Sequence, residues 1–105
     1  MLNFLMNMMG GGDSTAIADA INNGAAIIDV RTRQEFSGGH VAGSKNIPLQ
    51  ELGQHMASLP KNKPVVFCCA SGGRSGQAAS MAKQAGYDAY NGGPWTAVNR
   101  IVNNK

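Results

Sequence analysis

The sequence predicts an α/β domain with a mostly parallel central sheet and helices on both of its faces. Two continuous apolar runs, at residues 25–30 and 65–69, are typical of strands that are buried on both faces. Stretches with apolar residues at helical spacing alternate with these runs along the chain, as in βαβ units. With 105 residues, the chain is long enough for one hydrophobic core and too short for two.

The first half of the chain contains a helix, a strand and a long connection. Asp13 or Ser14 can cap a helix that runs to about Asn22, where Asn23 and Gly24 end it. After the strand at residues 25–30, residues 31–48 are rich in glycine and polar side chains. We expect them to be mostly connection, with a helical turn near residues 34–37.

The second half alternates helices with two further strands. Pro48 suits the first turn of a helix, which the apolar spacing extends to about Ser58. The strand at residues 65–69 leads to a helix at residues 75–85, a short strand at residues 87–91 and a last helix at residues 95–102. Ligands of such sheets bind beyond the carboxyl ends of the strands, so this edge is where we expect the functional site.

The amino terminus differs in composition from the rest. Residues 1–12 form an apolar leader that ends in three glycines, and residues 13–105 form the domain proper. The leader has no cation before its apolar part, as a signal peptide would, and it is too short to span a bilayer. Two interpretations stay open: a short helix docked on the domain, or a weak surface anchor.

Composition excludes several classes of function. The net charge of +3 comes from nine separated cations, whereas nucleic-acid binding needs clustered charge. Neighbouring residues such as Cys68 and Cys69 rarely form a relaxed disulfide, so a reducing, cytoplasmic location is expected. Two lone histidines, His40 and His55, with adjacent cysteines do not make a zinc site, and no metal or cofactor is predicted.

Cys69 ends a predicted strand and precedes a glycine-rich turn and the start of a helix. This arrangement gathers backbone N–H groups around one point, which favours negative charge. The amides, the helix dipole and the Arg74 guanidinium should therefore lower the pKa of the Cys69 thiol and make it a nucleophile. The predicted cradle around the sulfur consists of Ala70, Ser71, Gly72, Gly73, Arg74 and Ser75.

Other polar residues near this edge are expected to have supporting roles. Cys68 still lies within the strand, so it should pack as a small apolar residue. We assign Asp29 and Arg31 to a supporting shell around the site. The pair acts either as an ion pair that anchors the loop or, through Arg31 or Arg33, as positive charge at the mouth of the site. His40 is expected to fix its loop.

Three stretches of the sequence resemble a known family. They read AIIDVRTRQEFSGGHVAGSKNIP, CCASGGRSGQAA and YNGGPWTAVN. In this order and spacing they are similar to a single-domain rhodanese, a thiosulfate-type sulfurtransferase, over about residues 16–102. The positions that match are Asp29, Arg31, Glu35, Phe36, Gly39, His40, Gly43, Asn46, Ile47, Pro48, Cys69, Arg74 and Ser75. The resemblance implies a three-layer, rhodanese-like fold with a sheet of four to five strands.

Two positions depart from the pattern of that family. Ser71 stands where members that prefer thiosulfate often carry a cation, which leaves the sulfur donor open. Val98 occupies the place of a frequent tryptophan, and Trp95 lies one helical turn earlier. The second change should affect packing more than chemistry.

The resemblance implies a reaction in which Cys69 takes a sulfane sulfur from a donor such as thiosulfate. The resulting persulfide passes its sulfur to cyanide or a thiol, and a protein is a further kind of acceptor. An alternative is a persulfide carrier that serves a partner protein with little free turnover. Related phosphatases have five residues between cysteine and arginine, whereas four separate Cys69 from Arg74, a cradle that suits one sulfur better than a phosphate.

Overall fold

A computed structural model describes residues 14–104, so the apolar leader and a cap at Asp13 lie outside the described residues. The strands are β1 (Ala26–Asp29), β2 (Lys45–Asn46), β3 (Val65–Cys69) and β4 (Ala89–Pro94). The helices are α1 (Ser14–Asn22), α2 (Arg33–Ser37), α3 (Leu52–His55), α4 (Gly73–Gln84) and α5 (Trp95–Asn103). Two 3₁₀ turns, Leu49–Glu51 and Met56–Ser58, flank α3.

The four strands form one parallel sheet in the order β2-β1-β3-β4. The central strands β1 and β3 are the two apolar runs of the sequence, because only these positions are covered by side chains on both faces. Their register pairs Ile28 with Phe67 and Asp29 with Cys68. The carboxyl ends of β1 and β3 therefore lie side by side. The predicted α/β class with a mostly parallel sheet of four to five strands is confirmed, with four strands.

The pleat of β3 divides the interior into two cores. Phe67 and Cys69 face a core that α4 and the segment around Leu52 cover. Val66 and Cys68 face the opposite core, which is covered by α1 and α5. Helices thus lie on both faces of the sheet, as predicted, and the two neighbouring cysteines belong to different layers.

Several elements differ from the sequence prediction. The helix expected from Pro48 to Ser58 is broken into 3₁₀, α and 3₁₀ turns. The helix after Cys69 begins at Gly73 rather than Ser75, because Gly72 has φ of 107° and serves as its N-cap. The two-residue strand β2 was not predicted, since so short a stretch has no apolar pattern.

Strand β4, predicted at residues 87–91, lies at Ala89–Pro94 and contains an irregularity next to the site. Its pairing with β3 shifts between Phe67 and Cys68, so that Gly92 is an extra residue. A Cβ atom at Gly92 would lie 2.7 Å from Val98 Cγ2 and 2.9 Å from the Phe67 carbonyl oxygen, which only glycine avoids. Among residues 14–104, no helix combines the length and the apolar character that crossing a membrane requires.

Candidate active site

The sulfur of Cys69 lies at the carboxyl end of β3, inside the turn that leads to α4. The Gly72 N–H donates to Cys69 Sγ at 2.9 Å and the Ser75 N–H donates at 3.4 Å. The Ser75 hydroxyl oxygen lies 3.3 Å from the same sulfur. The left-handed conformation of Gly72 bends the turn so that these groups converge on one atom. The structure thus brings the predicted nucleophile and much of the predicted cradle together.

The hydrogen bonds around Cys69 favour its thiolate. Burial by itself raises the pKa of Cys69, but the Ser75 hydroxyl and amide, followed by the amides of Gly72 and Ser71, outweigh that effect. The pKa of Cys69 therefore lies below its ordinary value. Such a thiol is ionised to a larger extent at neutral pH and reacts faster with electrophilic sulfur.

The remaining residues of the turn surround the sulfur from outside. Cys69 itself has no exposed surface, whereas Ala70, Ser71 and Gly73 are exposed. The exposed turn is therefore the cover between Cys69 and solvent. Gly73 is also the first residue of α4, so the amide end of that helix faces this turn.

Cys68 has an environment opposite to that of its neighbour. Its side chain is fully buried in the core beneath α1 and α5. Burial, with repulsion from Asp29 as a smaller cause, raises the pKa of Cys68 to about 12. The thiol consequently stays protonated and packs as an apolar side chain, as the sequence predicts.

The Ser75 hydroxyl belongs to a network that sequence reasoning missed. Its oxygen lies 2.7 Å from Asn91 Oδ1 and 3.2 Å from the Gly72 carbonyl oxygen. The Gly93 N–H donates to the same Asn91 Oδ1 at 2.9 Å, and Asn91 Nδ2 donates to the Gly72 carbonyl at 3.4 Å. The Asn-Gly-Gly sequence, which favours an Asx turn, was the available signal.

The Arg74 guanidinium pairs with Glu35 rather than with the sulfur. Its two terminal nitrogens donate to the two carboxylate oxygens at 2.8 and 3.1 Å. Hydrogen bonds from Arg74, and next from the Thr32 backbone, lower the pKa of Glu35 to about 2. The pKa of Arg74 is raised chiefly by Glu35 and to a smaller degree by the negative charge of Cys69. Glu35 is thus a charge partner that the sequence interpretation did not assign.

Glu35 also connects the turn to the neighbouring loop. Helix α2 begins with a capping box, in which the Glu35 N–H donates to Thr32 Oγ1 at 3.2 Å and the Thr32 N–H donates to Glu35 Oε1 at 2.9 Å. One carboxylate therefore holds both the start of α2 and the Arg74 side chain. This explains locally why a glutamate lies three residues after a threonine.

Asp29 and Arg31 form a buried ion pair below the loop. Arg31 Nε and Nη2 donate to the Asp29 carboxylate at 2.9 and 2.7 Å. Arg31 also donates to the carbonyl oxygens of Glu35 and Gly39, and its guanidinium lies 4.9 Å from the centre of the Trp95 ring. The pair acts as a brace that joins β1, the loop and α5, so the charge of Arg31 is neutralised within the fold.

The other charged residues named from the sequence lie on the surface. Arg33 pairs with Glu51 and is exposed. His40 stacks on Phe36 with ring centres 3.7 Å apart, and its Nδ1 lies 2.7 Å from the Phe36 carbonyl oxygen. His40 thus fixes its loop. Within the part of the chain that the structure describes, no three residues of the metal-ligating types come together.

The chain is similar to a known protein family and to several of its relatives. The profile of the Rhodanese-like domain family matches residues 13–93. YqhL of Bacillus subtilis is 44% identical over 62 residues, which cover 59% of this chain and 49% of that protein. Thiosulfate sulfurtransferase GlpE of Pseudomonas aeruginosa is 35% identical over 69 residues, covering 65% of this chain and 63% of that enzyme.

The similarity extends to a solved structure. A structure described as rhodanese with anions from E. coli superposes with a TM-score of 0.65 at 34% identity, over 70% of this chain and 89% of that one. The chain spans about half to two thirds of the length of the two curated relatives. The fold, the parallel sheet and the match over residues 13–93 agree, and this chain belongs to the rhodanese-like domain family.

Proposed function

We propose that this protein is a sulfurtransferase in which the Cys69 thiolate accepts a sulfane sulfur from a donor such as thiosulfate. The thiolate attacks the outer sulfur of the donor, a new S–S bond forms, and sulfite leaves with the electron pair of the broken S–S bond. A thiol or cyanide then attacks the outer sulfur of the persulfide and regenerates the Cys69 thiolate.

The convergence of hydrogen-bond donors on one sulfur is the observation that carries this proposal. The amides of Gly72 and Ser75 donate to Cys69 Sγ. Neither histidine, His40 or His55, is close to Cys69 in the sequence to act as a base. The turn therefore favours an anionic sulfur before the reaction, and the same donors suit an anionic outer sulfur after it. The relatives named thiosulfate sulfurtransferase support the same reaction class.

The size of the turn favours sulfur over phosphate as the group transferred. Four residues separate Cys69 from Arg74, and the amides converge on Sγ itself at 2.9 to 3.4 Å. A tetrahedral phosphate needs donors arranged around a larger volume. Cys69 is buried behind the exposed residues Ala70, Ser71 and Gly73, which also favours a small transferred group.

A carrier function is the second candidate, and the Arg74–Glu35 pair favours it. Glu35 neutralises the cation nearest the turn, and Ser71 supplies none, so a small anionic donor is attracted only weakly. A partner protein that brings sulfur as a persulfide would not depend on that charge. Both functions use the same sulfur, and both fit the reducing cytoplasm that two unpaired cysteines suggest.

The test is to follow sulfur on Cys69 directly. After incubation with thiosulfate, mass spectrometry should find one added sulfur atom, assigned by fragment ions to Cys69. Cys69→Ser should lose this modification and all sulfite release, whereas the matched variant Cys68→Ser should retain most of both. Substantial transfer by the Cys69 variant would contradict the proposal.

A second measurement separates the enzyme from the carrier. Steady-state release of sulfite with thiosulfate and cyanide is compared with transfer from loaded Cys69 to added protein thiols. Sustained turnover with the small molecules supports the enzyme. A single loading event without turnover, followed by transfer to a protein thiol, supports the carrier.

A further inference from the structure

The Ser75 hydroxyl has more acceptors around it than it has hydrogens. Cys69 Sγ, Asn91 Oδ1 and the Gly72 carbonyl oxygen lie 3.3, 2.7 and 3.2 Å from Ser75 Oγ. A serine hydroxyl carries one hydrogen and accepts through its lone pairs. When Cys69 is a thiol, its S–H can donate to Ser75 Oγ while the Ser75 hydrogen goes to Asn91. When Cys69 is a thiolate, its sulfur and Asn91 Oδ1 both need the one hydrogen of the Ser75 hydroxyl.

The orientation of the Asn91 amide is fixed by its neighbours. Oδ1 accepts from the Gly93 N–H at 2.9 Å, and Nδ2 donates to the Gly72 carbonyl oxygen at 3.4 Å. A flipped amide would set its NH₂ against the Gly93 N–H and its oxygen against a carbonyl. The first turn of α4 also leaves room for this amide, since a Cβ atom at Gly76 would lie 3.2 Å from Asn91 Nδ2.

We propose that Asn91 is a positioning residue that competes with the Cys69 thiolate for the single hydrogen of Ser75. This inference rests on the proposed role of Cys69 as the nucleophile. On ionisation, the thiol proton leaves to solvent and the Ser75 hydroxyl rotates its hydrogen from Asn91 to Sγ. Asn91 Oδ1 keeps the Gly93 N–H as a donor, so the rotation leaves no buried acceptor unsatisfied.

The competition makes the thiolate less stable than its donors alone would make it. A resting thiolate that is slightly less stabilised is also the better nucleophile, since nucleophilicity falls as the pKa of a thiol falls. The charged groups at the carboxyl edge of the sheet are Arg74 with its partner Glu35 and Asp29 with its partner Arg31. Each arginine is paired with its own carboxylate, and Cys68 stays neutral. Changing Asn91 therefore leaves the charges of these groups unchanged.

We predict that removing the Asn91 carbonyl stabilises the Cys69 thiolate and so lowers the pKa of Cys69. Asn91→Ala should lower the midpoint of iodoacetamide labelling of Cys69 by about 0.5 to 1 pH unit, because the Ser75 hydrogen then donates to the charged sulfur. At a pH below the midpoint, labelling should accelerate about two- to fourfold, because the larger thiolate fraction outweighs the lower nucleophilicity of each thiolate. Asn91→Ser should give the same direction, and its short hydroxyl can still accept from the Gly93 N–H, which preserves the local turn.

A double-variant comparison distinguishes competition from simple support. In a Ser75→Ala background, the hydrogen under competition is absent, so changing Asn91 should leave the midpoint where it is. An unchanged or raised midpoint in folded Asn91→Ala or Asn91→Ser would overturn the inference, as would an equal decrease in the Ser75→Ala background. Circular dichroism and thermal unfolding identify the variants that fold. If Asn91→Ala does not fold, the midpoint of Asn91→Ser tests the inference.

The labelling experiment also separates this inference from the proposed function. If Cys69 of the unmodified protein is not alkylated at any pH between about 5 and 10, the nucleophile and the competition are both wrong. If Cys69 is alkylated with one midpoint in all Asn91 variants, only the competition is wrong. Fragment ions assign the label to Cys69 rather than to Cys68, which lies next to it in the chain.

Discussion

Two arginines lie at the carboxyl edge of the sheet, and they are held in different ways. Arg31 is 5% exposed and pairs with a fully buried Asp29. The Arg74 side chain is 37% exposed and pairs with a Glu35 side chain that is 36% exposed. A buried pair has no other partner to take, whereas an exposed pair competes with water and with ions. The comparison indicates that Arg31 holds the fold, whereas the exposed Arg74 can exchange its partner Glu35 for another anion more easily.

The largest expected effect is on stability and comes from the inner pair. Arg31→Ala leaves the Asp29 carboxylate buried without its partner and removes the contact with Trp95. We expect a loss of about 3–5 kcal/mol in the free energy of unfolding, measured by urea denaturation. The double variant Asp29→Asn, Arg31→Met, which removes both charges, should recover part of that loss. If Arg31→Ala unfolds at the urea concentration of the unmodified protein, Arg31 is not a brace.

The next effect is on the chemistry and comes from the outer pair. Arg74→Ala removes a fixed charge near Cys69 and leaves Glu35 unpaired, so it should slow sulfite release from thiosulfate by about tenfold or more. It should also raise the pKa of Cys69, read from the pH dependence of iodoacetamide labelling. Arg74→Lys should restore part of both, since a point charge remains without the planar fork. Native kinetics and labelling in Arg74→Ala would reduce Arg74 to a structural role.

The smallest expected effect tests whether Glu35 restrains Arg74. Glu35→Gln keeps an acceptor for the Thr32 N–H but releases the guanidinium, so KM for thiosulfate should fall about two- to fivefold at low salt and less at high salt. Arg33→Ala, which breaks the exposed pair with Glu51, is the matched control and should leave KM unchanged. An unchanged KM in Glu35→Gln would mean that the outer pair does not limit access of the donor.

The pH dependence identifies which group titrates during the reaction. The pKa of Glu35 is about 2, so this carboxylate is charged throughout the range above about pH 4 and the Arg74 pair is lost only as pH falls toward 2. A decrease in rate as pH falls at values well above 4 is therefore expected from protonation of Cys69, whose pKa lies below its ordinary value, and not from Glu35.

The sequence predicted the parts of the fold that depend on local pattern. Strands β1 and β3 follow from long apolar runs, and α4 follows from its apolar spacing and the glycine that ends it. Cys69 was selected because strand end, glycine-rich turn and helix start are consecutive in the chain. Strand β2 has two residues, which is shorter than any periodicity that a sequence can display.

The missed features are contacts between distant segments. Ser75 contacts Asn91, which lies 16 residues away in the sequence, and Arg74 contacts Glu35, which lies 39 residues away. A single sequence has no signal for such pairs, because each residue also has a local explanation. Glu35 completes a capping box and Asn91 forms an Asx turn with Gly93. Tertiary structure gave both residues a second partner.

The pleat of β3 determines how long a sulfur bound to Cys69 would survive. An outer sulfur on a cysteine is normally discharged by the nearest thiolate, which expels hydrosulfide and forms a disulfide. Cys68 is the chain's one other cysteine, and it faces the opposite side of the sheet with a pKa of about 12. Cys68 is therefore not placed to unload the persulfide that we propose for Cys69. On the proposed function, the lifetime of that persulfide would be set by acceptors other than Cys68.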